Sequence, residues 1–156
     1  MEVILNEAEQ RLCKFISKKR YENDRNAGAV TTVYGNQTAE QMELNSFGAE
    51  LAFCKLFNTY PDLNVKHFGK EDAILVSGQK VDVKNTRYKD GKLMVKAIDR
   101  EKCDLYGLMI GTFPTFMFVG FATAEELFKK ENLSNEYEHP AYVLPQEKLN
   151  KNAQLL

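Results

Sequence analysis

Apolar residues recur at helical steps over "EAEQRLCKFISKKRYENDR" (7–25), where Leu12, Phe15 and Ile16 predict an amphipathic helix. Asn6 stands at the N-cap and Glu9, three residues on, completes a capping box. Residues 26–37 are polar and glycine-containing, and read as a loop. A second helix is predicted over 38–58, because Leu44, Phe47, Leu51 and Cys54 fall on one face. Gly48 lies inside that helix and costs about 1 kcal/mol relative to Ala. A close packing contact is the expected reason for it.

The period then shortens to that of strands. Strand signals lie at 64–68, 72–76, 80–88 and 92–98. The last two are separated by Lys89, Asp90 and Gly91, and Asp-Gly is a strong hairpin signal. "LYGLMIG" (105–111) and "TFMFVGF" (115–121) are almost wholly apolar, with Pro114 in the bend between them. Runs of that length read as strands covered on both faces. "TAEELFKK" (123–130) opens on a Thr123–Glu126 capping box and predicts a short helix; 141–149 predicts a last strand and turn. The order implies one domain over residues 1–156 of mixed α/β (α+β) class, a central mixed sheet of four to five strands flanked by helices.

Composition narrows the class of partner. The chain has 156 residues, 44% hydrophobic and 28% charged, enough for one packed core without staples. Cys13, Cys54 and Cys103 are far apart, odd in number and in no CxxC, which argues against disulfide and zinc frameworks. No apolar run approaches the length of a membrane span and no signal pattern opens the chain, so a cytoplasmic setting without a membrane partner is expected. A net charge of −1 means that any nucleic acid must be held by a local basic patch or through metal ions.

The strand at 80–88 raises the chemical question. Side chains alternate on a strand, so Asp82 and Lys84 share a face, about 7 Å apart along the backbone. A tight turn at Ser77 and Gly78 would bring Asp72 alongside them. Paired carboxylates repel unless a cation joins them, and Mg²⁺ takes one or two carboxylates together with waters and phosphate oxygens. An adjacent lysine can orient or deprotonate a water, or steady charge growing on a phosphate. An isolated Asp-x-Lys is more often a solvated strand face with a weak ion pair; the upstream Asp72 is what raises the catalytic reading.

Asp72…Asp82-Val83-Lys84 resembles the active-site pattern of the PD-(D/E)XK nuclease superfamily, and "FGAELAF" (47–53) is similar to the helix that precedes it in many members. The resemblance covers roughly residues 38 to 149, with the 7–25 helix added in front. It implies a restriction-endonuclease-like fold and Mg²⁺-dependent hydrolysis of DNA leaving a 5′-phosphate, with Mn²⁺ as an alternative ion. It further implies that Glu50 joins Asp72 and Asp82 as metal ligands beside a catalytic Lys84. Here the chain departs from the pattern in one place: no proline precedes the first acid, and "GKEDAIL" offers both Glu71 and Asp72, of which Asp72 is preferred. No segment for reading a DNA sequence is evident, and cutting both strands would call for a homodimer.

Arg87, Lys96, Lys18, Lys19 and Arg20 are candidate phosphate contacts, weighed against ordinary solvated cations. Tyr88 and Tyr34 are candidate base-stacking groups, against half-buried packing. Glu43 shares the helical face of Glu50, as a supporting acid or a surface one. His67, His139 and the cysteines lack partners for metal or nucleophilic chemistry and read as structural. The competing functional readings are a nuclease-like fold that binds nucleic acid or protein without cutting, and a structural protein whose acidic strand face has no role.

Overall fold

The computed structural model describes residues 1–30, 33, 35–66, 71–100 and 102–152. In chain order these form β1 (Glu2–Ile4), α1 (Glu7–Asn26), α2 (Ala39–Leu56), β2 (Ala73–Ile74), β3 (Lys80–Thr86), β4 (Leu93–Lys96), β5 (Leu105–Thr112), β6 (Thr115–Thr123), α3 (Ala124–Leu127), β7 (Leu133–Ser134) and β8 (Ala141–Leu144). The class is mixed α/β, as expected. Both long helices start on capping boxes, Asn6 with Glu9 and Thr38 with Gln41, each satisfying two backbone donors that would otherwise be orphaned.

Two sheets stand where one is expected. The larger runs β1–β6–β5–β3–β2 and the smaller β4–β8–β7. Within the larger sheet β3 and β5 are parallel and the other pairs antiparallel. One core lies between this sheet and the helices, built on Cys13, Ile16, Phe47, Phe53, Val81, Val83, Met109 and Phe118. A second joins its other face to the smaller sheet through Leu93, Val95, Tyr106, Leu108, Leu127, Tyr142 and Leu144. β5 contributes to both, which is why its sequence is apolar without alternation. Gly48 meets the expected close contact, for a methyl there would stand 2.9 Å from the Phe116 ring and 3.2 Å from that of Phe113.

The hairpin expected between 80–88 and 92–98 is absent. The turn itself forms, with Gly91 N–H donating to Tyr88 carbonyl at 3.0 Å. It delivers β4 to β8 in the smaller sheet instead, burying Leu93 and Val95 in the second core, while the apolar β5 takes the place beside β3. Four further differences are local. No strand forms at 64–66, where Asn64 turns back on the Asp62 carboxylate, and 67–68 lie outside the described residues. The 72–76 strand contracts to Ala73–Ile74, and the 123–130 helix to Ala124–Leu127. Phe15 projects outward, exposed; the buried stripe of α1 is Cys13, Ile16, Ser17 and Arg20.

Candidate active site

β3 brings the first two groups together by strand geometry alone. Val81 and Val83 point into the helical core, so Asp82 and Lys84 point the other way. Asp82 is 7% exposed, and its Oδ1 lies 2.7 Å from Lys84 Nζ. β2 supplies the third. Gly78, at φ +85°, allows the tight return that pairs Ala73 with Val81, a left-handed conformation that a side chain resists. The chain leaves the ladder at Asp72. There its N–H still donates to Val81 carbonyl at 2.9 Å, but its side chain takes over from the backbone: Oδ2 accepts the Val83 N–H at 2.7 Å. Asp72 thereby stands beside Asp82 and Lys84 at the point where β3 loses its neighbour. Glu71 turns aside to Lys80, 3.4 Å away, in keeping with the choice of Asp72.

Glu50 comes from the buried face of α2, at 7% exposure, and is not an open ligand. Its Oε2 accepts from Arg20 Nη1 at 3.0 Å. Arg20 is itself 3% exposed, donates to the carbonyls of Asp62 (2.7 Å) and Asn64 (3.1 Å), and lies over the Phe47 ring at 4.8 Å. The reading of Arg20 as a phosphate contact is therefore corrected: it is the buried counter-ion of the site. Consecutive residues on a helix are about 100° apart, so Lys18, Lys19 and Arg20 cannot form one patch. Lys18 and Lys19 are exposed, and Lys19 pairs with Glu22 at 3.1 Å. Arg20 follows Cys13, Ile16 and Ser17 at intervals of seven, four and three, so the signal for its burial was present in the sequence.

Charge in this confined space shifts the proton affinities. Burial, then the Asp82 carboxylate, pushes Asp72 up from 3.8 to about 7, against the Val83 hydrogen bond and the Lys84 and Arg20 cations. Burial and Asp72 push Glu50 well above the carboxylate range, with Arg20 opposing. Burial pulls Lys84 down, but the adjacent Asp82 outweighs it, and the net direction is upward, keeping the ammonium charged. Glu43 is raised chiefly by burial, with Arg20 opposing.

These groups line a cleft of about 880 Å³. Arg87 and Lys96 also line it, Arg87 donating to Asn36 carbonyl at 2.9 Å, as do Glu43, Tyr88, Asn85 and Tyr137. Asn85 carries a buried Oδ1 without a hydrogen-bond partner among the described residues. His139 is exposed, and the three buried thiols are each pushed up to about 12 by burial, which leaves no thiolate nucleophile. Tyr34 and His67 lie outside the described residues.

No family model, curated protein or solved structure matches the chain. Among the described residues no group of three or more His, Cys, Asp or Glu side chains is arranged to hold a metal ion. Glu50, bound to Arg20, therefore does not complete a three-carboxylate cage with Asp72 and Asp82. Two carboxylates remain. One oxygen of Asp72 is taken by Val83 and one of Asp82 by Lys84, leaving the other of each for an incoming cation. That donor set fits Mg²⁺, which binds through one or two carboxylates and keeps its waters. No helix among the described residues is long and apolar enough to cross a membrane.

Proposed function

We propose that this protein is a Mg²⁺-dependent deoxyribonuclease that hydrolyses phosphodiester bonds at the Asp72–Asp82–Lys84 cleft, and that its similarity to the PD-(D/E)XK pattern reflects that chemistry. One observation carries the reading: two carboxylates and an ammonium converge where β3 loses its β2 neighbour, lining an open cleft. Proteins rarely place repelling carboxylates together in a partly buried site without a task for them. A bound Mg²⁺ would supply Lewis-acid polarisation of the phosphate and a more acidic water. Asp72 and Asp82 would hold that ion. Lys84, kept cationic by Asp82, faces charge that grows on the phosphate as the P–O bond breaks and orients the attacking water. Arg20 holds Glu50 and the 62–64 loop in place behind the carboxylates.

The direct test is incubation with supercoiled plasmid, linear duplex, single-stranded circle and four-way junction, with and without Mg²⁺. Cutting that needs Mg²⁺ is expected on at least one substrate, with Asp82→Ala and Lys84→Ala slower by about 10²–10³. Parental rates in both variants would sink the mechanism. A second reading, a nuclease-like fold that binds without cutting, draws on the internal satisfaction of the site by the Asp82–Lys84 and Asp72–Val83 contacts. Calorimetric titration showing no Mg²⁺ or Mn²⁺ binding at millimolar concentrations would favour it.

A further inference from the structure

We infer that the cleft takes an unpaired polynucleotide strand, with bases stacked on Tyr88 and Tyr137 and phosphates held by Lys92 and Lys96; this rests on the nuclease reading and names its substrate class. Tyr88 and Tyr137 are 55% and 38% exposed, come from distant parts of the chain, and both line the cleft that holds Asp72, Asp82 and Lys84. A tyrosine ring exposed beside a phosphodiester site gains little from duplex, whose base faces are already stacked on each other. An unpaired base presents a free π-face, and stacking on it is tolerant of sequence.

The opposite requirement, grip on phosphate, is met by β4. Leu93 and Val95 point into the second core, so Lys96 at the end of β4 and Lys92 immediately before it lie on the other face, about 13 Å apart along the chain. Neither has an ion-pair partner among the described residues, whereas Lys102 on the same cleft is committed to Asp99. That spacing suits two phosphates of one extended strand. Asn85 is a further polar residue lining the same cleft. The wall of this cleft thus offers rings for bases and cations for phosphates in the same cleft as the carboxylates.

Fluorescence anisotropy with a labelled oligodeoxythymidylate, and with a blunt duplex of equal length, tests this in the presence of chelator. The single strand is expected to bind at least tenfold more tightly. Tyr88→Ser and Tyr137→Ser should each weaken it by about tenfold. Lys92→Met and Lys96→Met should each lower the slope of log affinity against log salt by about 0.7. Equal affinity for duplex, or tyrosine variants that bind like the parent, would overturn the inference. Cutting assays on the same two substrates in Mg²⁺ separate it from the nuclease proposal. Tyrosine-dependent single-strand binding without any cutting would support the inference and sink the nuclease. Duplex cut as fast as single strand would keep the nuclease and overturn the inference.

Discussion

Asp72→Asn removes a negative charge from a place that resists one, while its amide oxygen keeps the shape needed to accept the Val83 N–H. In the unfolded chain Asp72 titrates near 3.8; in the folded protein burial and Asp82 hold it at about 7. Between those values the folded state keeps a proton that the unfolded state has released. Raising the pH through that window therefore costs stability, and above it the deficit is complete. The gap of roughly 3 pH units, at 1.36 kcal/mol each, sets a ceiling of about 4 kcal/mol, reduced in practice by relaxation and by coupling to Glu50 and Asp82. Urea unfolding in chelator, followed at several pH values from 4 to 8, should show the variant more stable than the parent at pH 8. An advantage of about 2 kcal/mol or more is expected there. The two should converge near pH 4. A variant no more stable at pH 8, or an advantage that persists unchanged at pH 4, would refute the electrostatic account of the site.

Arg20→Met should destabilise the fold by about 3–5 kcal/mol, because it leaves Glu50 buried without its counter-ion and two carbonyls without a donor; thermal melting checks it. Gly48→Ala adds a good helix former, worth about 1 kcal/mol, but drives a methyl into the Phe116 and Phe113 rings. The net is expected to be a loss of roughly 1–2 kcal/mol in urea unfolding. The three thiols, buried and pushed up to about 12, should not react with a disulfide reagent at pH 8 until the protein is unfolded, when all three react.

What was legible in the sequence follows the range of the forces involved. The two capped helices and the doubly buried β5 are written in local period and in apolar content, and both are found. The facing of Asp82 and Lys84 is a consequence of strand alternation, and the Ser77–Gly78 turn set Asp72 beside them. The Lys89–Gly91 turn misled because a tight turn specifies reversal, not which sheet the chain enters next. That choice was made by Leu93 and Val95 finding Leu144 and Tyr142 about fifty residues on. The Arg20–Glu50 pair spans 30 residues between two helices. Nothing near either residue announces the other, although the stripe of α1 marks Arg20 as buried.

The carboxylate that replaces a backbone partner at Val83 has a consequence outside catalysis. Among the described residues β2 covers β3 only at Lys80 and Val81, so the remainder of that strand is a sheet margin. Such a margin invites another chain to add itself by main-chain pairing. Here the first open donor, the Val83 N–H, is already occupied by Asp72, and the flanking position carries the charged Asp82–Lys84 pair. An intruding strand would have to displace one carboxylate and strip water from two more charges. The arrangement suited to chemistry therefore also keeps the sheet from growing, and neutralising it should expose a route to self-association along β3.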